Sequence, residues 1–197
     1  MVRKSQNYIE LYKQMHIQHH ILSHYNERPP DTPIDTLLIH AMFADEYRRY
    51  ELDPAACIQQ LDDKKVAPHY LISREGEIWH LVPEKERAWH AGHSALPPPL
   101  PQRSDVNNFS IGIELIGYED QPFTGEQYQA LSWLTLDLLS RHPLAYVLGH
   151  EHVALPSGRK TDPGPCFNWA QYRLEVKQGG EQANELSFPP DLLVDSR

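Results

Sequence analysis

Three residues with metal-binding side chains occupy positions that a fold could hold rigidly. His40 and His150 each end a short apolar segment, Thr36-Leu-Leu-Ile-His40 and Tyr146-Val-Leu-Gly-His150, of the kind that forms a buried strand. Asp162 follows His150 by twelve residues. A hydrolytic zinc site needs three protein ligands and an open fourth position for water. A lone histidine at a strand end is more often structural, so the prediction of a zinc site at His40, His150 and Asp162 depends on their combination.

Two further charged residues fit the same chemistry. Lys160 and Asp162 lie two residues apart, and side chains at positions i and i+2 of an extended segment point the same way. We therefore expect the Lys160 ammonium group to enter the cavity that holds Asp162. Glu114 lies in the strand-like segment 110–116, whose isoleucines and leucine alternate onto one face. Glu114 must point to the other face, towards something polar.

The elements that would position these residues alternate between strands and helices. A helix is predicted over 53–63, because Asp53 is suited to cap it and a proline follows in its first turn. A second helix is predicted over 124–141, because Thr124 and Gln127 form a capping box. This alternation predicts a single α/β domain.

A β-hairpin is predicted in the middle of the chain. Residues 69–73 and 78–82 are apolar and strand-like, and Gly76 can supply the turn between them. The histidines at 16, 19, 20 and 24 are expected on a solvated, partly helical surface before the first strand.

Charge and composition restrict the partners. The 197-residue chain has 40 % apolar residues, a fraction that is ordinary for a soluble globular protein. Its net charge is −9. The acidic balance argues against nucleic acid, because phosphate neutralisation needs a basic surface. No apolar stretch resembles a signal peptide or is long enough to span a membrane.

Cysteine usage bears on the compartment. Cys57 and Cys166 lie far apart and form no CxxC pair, which indicates reduced thiols rather than a thiolate metal site. We therefore expect a cytoplasmic protein. We also expect a monomer. Release by cell lysis or by a leaderless route stays open.

Six motifs occur in an order that gives a specific resemblance. They are the segments 23–29, 36–40, 67–79, 87–92, 108–114 and 149–165. Over residues 22–173 the chain resembles AmpD-type N-acetylmuramoyl-L-alanine amidases, a zinc family related to phage lysozyme-type amidases and to peptidoglycan recognition proteins. With the polar composition of the last residues, this predicts an N-terminal extension (1–21), a zinc amidase domain (22–177) and a polar, loosely packed C-terminal tail (178–197).

The resemblance implies a fold and a reaction. The fold would be a central mixed β-sheet flanked by helices, with zinc in a groove over one sheet face. His40, His150 and Asp162 would hold the metal. Glu114 would take a proton from the attacking water, and Lys160 would stabilise the oxyanion. The bond cut would be the amide between the lactyl group of muramic acid and L-alanine, in peptidoglycan or in anhydromuropeptides.

Four residues are predicted to bind substrate: Trp89, His90, His69 and Arg74. Trp89 and His90 lie in the 87–92 motif and could line the sugar or peptide groove, or could simply pack. For His69 an orienting or packing role is the alternative. The partner would be a peptidoglycan fragment or the sacculus.

The chain departs from the family pattern in three places. The loop 155–158 is longer than in AmpD-type relatives, and His152 is a possible alternative ligand to His150. Pro68 stands where phage-type relatives carry a tyrosine. Asp105 stands where AmpD-type relatives tend to carry an arginine, with Arg103 nearby, which puts binding of acidic substrate groups at that position in doubt.

Other functions fit the sequence less well. A peptidoglycan-binding module without activity would usually lack a metal ligand, and this chain keeps the full set. A phage endolysin or secreted effector amidase acting on intact wall is the alternative within the enzyme class. A metal-free serine or cysteine hydrolase is disfavoured because no nucleophile elbow is present.

Overall fold

The computed structural model describes residues 16–189. Its strands are β1 (Ile17–His19), β2 (Tyr25–Glu27), β3 (Thr36–Met42), β4 (Tyr70–Ile72), β5 (Ile78–His80), β6 (Glu86–Ala88), β7 (Ser110–Ile116) and β8 (Tyr146–Gly149). Its α-helices are α1 (Pro54–Asp63), α2 (Gly125–Leu139), the single turn α3 (His150–Val153) and α4 (Trp169–Lys177). In these residues no helix is long and apolar enough to cross a membrane.

Six strands form one mixed sheet in the order β1-β5-β4-β7-β3-β8. Strands β4, β7, β3 and β8 run parallel to one another, whereas β4 and β5 form the antiparallel hairpin that the sequence predicts around Gly76. Strands β2 and β6 form a separate antiparallel pair. The predicted α/β fold with a central mixed sheet flanked by helices is confirmed.

One face of the sheet is closed by α2 and α4. The alternating residues Ile111, Ile113 and Leu115 of β7 are fully buried there, as their spacing predicts. The helices contribute Tyr128, Leu131, Leu134, Leu138, Tyr172 and Val176 to the same cluster. This face holds the main hydrophobic core of the described residues.

The opposite face is covered only in part. Helix α1 packs Cys57, Ile58 and Leu61 over the β4 side of that face. The chain between β6 and β7 packs Ala91 and Val106 over the β8 side. A groove remains between these two coverings, over β3 and β7.

Both long helices begin where the sequence predicts. The Asp53 side chain accepts a hydrogen bond from the Ala56 amide at 3.0 Å, with Pro54 as the first residue of α1. At α2, Thr124 and Gln127 form the reciprocal capping box. The helix termini are therefore fixed by local sequence, as expected.

The two ends of the described chain differ from expectation. Residues 17–19 are not helical, because they pair in parallel with β5 and so extend the main sheet. The expected loose packing after residue 177 is also corrected, since Ala183, Leu186 and Phe188 are buried in the main core. Residues 1–15 and 190–197 of the predicted extension and tail lie outside the described residues, and the domain boundaries remain predictions.

Candidate active site

The register of β3 and β7 places the first two site residues side by side. His40 and Glu114 are direct partners across this parallel pair, so both side chains leave the sheet on the same, open face. Glu114 therefore lies on the face opposite Ile113, as the alternation predicts. Both side chains are nearly buried, with 2 % of His40 and 8 % of Glu114 exposed.

Three ligand atoms converge above this pair. The Asp162 Oδ2 atom lies 3.0 Å from His40 Nδ1 and 3.1 Å from His150 Nδ1, and the two Nδ1 atoms are 3.1 Å apart. A tetrahedral ion with the bond lengths of zinc would separate its ligand atoms by roughly 3.3 Å. These residues could therefore hold a metal ion, and the structure brings together the three ligands that the sequence indicates.

The ligands come from rigid supports. His40 lies on a central strand, and His150 is the first residue of α3, directly after β8. The carbonyl of Asp162 accepts a hydrogen bond from the Glu151 amide at 2.9 Å, which ties the 160–162 segment to α3. The outer nitrogen of His150 contacts the Ala91 carbonyl at 3.1 Å, which fixes the orientation of its ring.

His152, the alternative ligand, is not part of this group. Its Nδ1 atom accepts a hydrogen bond from the Gly149 amide at 2.9 Å, and its ring packs edge-on against Trp169. The side chain caps α3 instead of facing Asp162. The group that the described residues form contains His150.

The cluster is electrostatically suited to bind a cation. Burial, with repulsion from His150, lowers the pKa of His40 to about 4, so its imidazole is neutral at pH 7. Burial opposes ionisation of Asp162, but the polar contacts of its carboxylate with His150 and His40 outweigh this effect and lower the pKa of Asp162. Neutral imidazoles and an ionised carboxylate are the forms that ligate metals.

Glu114 has the opposite perturbation. Burial and the nearby Asp162 charge raise its pKa well above the usual value, and Lys160 partly opposes them. A carboxylate that binds a proton readily is suited to general acid–base chemistry near neutral pH.

The groove over this cluster has a volume of about 780 Å³. Helix α1 forms one wall, the chain between β6 and β7 forms the other, and His40, Glu114 and the 159–162 segment lie between them. Lys160 is exposed and lines the groove, as its spacing from Asp162 predicts. Four cationic side chains line it in all: Lys64, Arg87, Arg159 and Lys160. They outnumber the three acidic side chains in the lining, Glu114, Glu119 and Asp162, in a chain whose net charge is −9, so the groove suits an anionic ligand.

The residues predicted to bind substrate take different positions. Trp89 lines the groove with 39 % of its surface exposed, and its Nε1–H donates to Asn26 Oδ1 at 2.7 Å. His90 also borders the groove, but its ring lies beneath the cluster, with Nδ1 3.0 Å from His40 Nε2.

His69 and Arg74 are not among the residues that line the groove, and their role in substrate binding stays a prediction. His69 is fully buried and accepts a hydrogen bond from the Gly112 amide, so it supports the sheet. Arg74 does not line the groove, and its guanidinium donates to the Pro122 carbonyl and to Gln127 at the start of α2. The position of a residue within a motif did not show whether its side chain lines the groove or packs elsewhere.

The departures from the family pattern are also placed by the structure. Pro68 lines the groove. Arg103 does not offer its charge there, because it pairs with Asp35 at 2.9 Å and lies 4.0 Å over the Phe109 ring. Arg159, which sequence reasoning did not single out, donates to the carbonyls of Ala91 and His93 and closes the longer loop against the groove wall. Those contacts span more than sixty residues, so no local pattern could reveal them.

Comparison with known proteins identifies the family. A family profile described as N-acetylmuramoyl-L-alanine amidase matches residues 30–165. The 1,6-anhydro-N-acetylmuramyl-L-alanine amidase AmpD of Citrobacter freundii is 36 % identical over 165 residues, which covers 78 % of this chain and 86 % of that protein.

Solved structures agree with this match. The crystal structure of a selenomethionine AmpD derivative has a TM-score of 0.67 at 36 % identity, covering 81 % of this chain and 94 % of that chain. The Escherichia coli amidase AmiD, solved in complex with the substrate anhydro-N-acetylmuramic acid-L-Ala-D-γ-Glu-L-Lys, has a TM-score of 0.61 at 34 % identity, covering 76 % of this chain and 60 % of that chain. With the site geometry, these matches show that the chain belongs to the N-acetylmuramoyl-L-alanine amidase family.

Proposed function

We propose that this protein is a zinc-dependent amidase that hydrolyses the bond between the lactyl group of an anhydromuramic acid and L-alanine. One observation carries the proposal: the buried group of His40, His150 and Asp162 lies beside Glu114 at the bottom of an open groove. Metal ligands, a proton carrier and access for substrate thus occur at one place. Family membership gives the reaction class.

The donor set suits zinc. Two imidazole nitrogens and one carboxylate oxygen form the three-ligand set of catalytic zinc sites, which leaves a fourth position for water. When bound, zinc would lower the pKa of water and polarise the carbonyl of the scissile amide. The three side chains would hold it at the floor of the groove, within reach of Glu114.

Glu114 would move the proton that amide hydrolysis requires. Its carboxylate would accept a proton from the attacking water and give it to the nitrogen of the leaving L-alanine. The raised pKa of Glu114 supports this role, because a group that gains and releases a proton in one cycle works best with a pKa near the working pH.

Lys160 would stabilise the negative charge that develops on the carbonyl oxygen. Its side chain is exposed in the groove and acts electrostatically on Glu114 across the site. A fixed cation near the reacting carbon contributes more to the transition state than to the ground state, because the charge appears only there.

The rest of the groove would bind the muropeptide. The Trp89 ring offers an apolar surface for a sugar or peptide group, and the lysine and arginine side chains of the groove would attract the carboxylates of the stem peptide. AmiD is described in complex with a soluble anhydromuropeptide, and AmpD is named for the 1,6-anhydro sugar. We therefore propose soluble anhydromuropeptides as the preferred substrate over the intact sacculus.

The test compares two substrates and two states of the protein. We expect the zinc-loaded protein to release free peptide from a purified anhydromuropeptide faster than from intact sacculi, as measured by chromatography and mass spectrometry. Dialysis against a chelator should abolish release, and added zinc should restore it. Full turnover after metal removal, or no cleavage of either substrate, would overturn the proposal.

A matched pair of variants tests the ligand assignment. His150→Ala should lose both stoichiometric zinc and activity, whereas His152→Ala should keep its zinc, because His152 faces Gly149 and Trp169. Zinc content measured by atomic emission distinguishes them. The reverse result would make His152 the ligand.

A further inference from the structure

Both candidate metal histidines present Nδ1 to the site and turn Nε2 towards one short segment of the chain. This segment, residues 89–92, lies between β6 and β7. His150 Nε2 is 3.1 Å from the Ala91 carbonyl oxygen, and His40 Nε2 is 3.0 Å from His90 Nδ1. A neutral imidazole carries one proton, so the partner of Nε2 decides whether Nδ1 is free to bind a metal.

For His150 the direction follows from the partner. Nε2 faces the Ala91 carbonyl and Nδ1 faces the Asp162 carboxylate, and both of these oxygens can only accept. With a cation held by Nδ1 and Asp162, the single proton of the neutral ring lies on Nε2 and is donated to Ala91. The Ala91 peptide is itself held in place, because its amide donates to Asn107 Oδ1 at 2.8 Å.

For His40 the direction follows from a chain of three hydrogen bonds. The Ser110 hydroxyl donates to the Val106 carbonyl at 2.7 Å, so its single proton is used there. The Ser110 oxygen then faces His90 Nε2, at 3.3 Å, as an acceptor. With Nε2 protonated, His90 presents an unprotonated Nδ1 to His40. His40 donates from Nε2, and its Nδ1 lone pair is left for the metal.

The His90 ring lies against the β7 backbone at Gly112. A Cβ atom at Gly112 would lie 2.5 Å from His90 Nδ1, so the ring sits directly on the β7 backbone. The His40 ring stands almost perpendicular to it, with centroids 5.2 Å apart. A larger residue than glycine at 112 would displace His90 from His40.

We infer that His90 is a positioning residue that fixes the tautomer of His40, and that the 89–92 segment orients both metal histidines. This replaces the prediction that His90 binds substrate. The inference rests on the proposed metal site and is independent of the substrate. Groups of this kind typically change metal affinity by about 10- to 100-fold.

Variants at position 90 test the inference through zinc affinity. His90→Phe keeps a ring but offers no acceptor, so we expect zinc to bind about 10- to 100-fold more weakly in a chelator competition. His90→Asn can place an amide oxygen near the Nδ1 position and should recover much of that loss. Trp89→Ala, in the same segment, should raise KM and leave zinc affinity unchanged.

The tautomer itself can be observed in the metal-free protein. Long-range ¹H–¹⁵N spectra should show more Nε2 protonation of His40 in the wild type than in His90→Phe, because only the wild type offers Nε2 an acceptor, whereas Asp162 faces Nδ1 in both. Ser110→Ala removes the acceptor of His90 without altering any ring, so it should give a smaller change in the same direction even if the phenylalanine variant fails to fold.

Unchanged zinc affinity and an unchanged His40 tautomer in these variants would overturn the inference, and a raised KM alone would return His90 to a substrate-binding role. None of these readouts uses the amidase reaction except KM. A failure of the proposed activity is therefore distinguishable from a failure of the positioning role.

Discussion

The two faces of strand β7 show how one segment serves both folding and chemistry. On the closed face, Ile111, Ile113 and Leu115 are fully buried against helices. On the open face, the absence of a side chain at Gly112 leaves room for the His90 ring. Glu114 places its carboxylate near the charges of Asp162 and Lys160. Residues one position apart therefore experience opposite environments.

The two faces contribute to the stability of the fold with opposite signs. Burial of each apolar side chain on the closed face stabilises the fold, because it removes apolar surface from water. On the open face, burial of Glu114 beside Asp162 costs free energy, as the raised pKa of Glu114 records. Substitutions on the two faces should consequently separate activity from stability.

The largest effect is expected from Glu114→Gln. Loss of the proton carrier should lower kcat by about 10²- to 10⁴-fold, whereas zinc content should stay the same. A raised carboxyl pKa means that folding loses stability as the pH rises through the unfolded-state value towards the folded-state value, and a glutamine removes that loss. The metal-free variant should therefore be at least as stable as the metal-free wild type at pH 7 in urea unfolding.

Near-normal turnover in Glu114→Gln would remove this residue from the proposed mechanism. A clear loss of stability in the variant would instead show that the carboxylate supports the fold, and the contrast between the two faces would fail.

The neighbouring substitution Ile113→Ala should do the reverse. Removal of a fully buried side chain from the closed face should lower the free energy of unfolding by about 2 to 5 kcal/mol. Thermal unfolding should show a drop of roughly 2 to 4 °C for each kcal/mol in a chain of this size. The kcat of the folded fraction should change little, and a loss of turnover as large as that of Glu114→Gln would contradict the separation.

The last prediction concerns the pH dependence set by the charge balance on the open face, apart from the loss of kcat that removal of the Lys160 cation should also cause. Lys160 lowers the pKa of Glu114, so Lys160→Gln should raise it. The acid limb of the kcat/KM profile, on which activity falls as Glu114 becomes protonated, should move to higher pH. An unshifted limb in a variant with residual activity would show that another group controls it.

Local patterns predicted much of this protein because their physics is local. The alternation of β7, the cap of α1 and the capping box of α2 depend on residues a few positions apart, and all three are confirmed. The same holds for the hairpin around Gly76. The strand β1 and the packed segment after α4 were missed, because each is stabilised by pairing or burial against distant parts of the chain.

The candidate site divides in the same way. Residue type, strand ends and motif resemblance were enough to indicate His40, His150, Asp162, Glu114 and Lys160, because metal ligation and proton transfer demand those chemical groups. They could not separate His90 from Trp89, or exclude His69 and Arg74 from the groove. Only the packed sheet decided which polar side chains face the groove and which lie beneath it, since that depends on register and on hydrogen bonds between residues far apart in sequence.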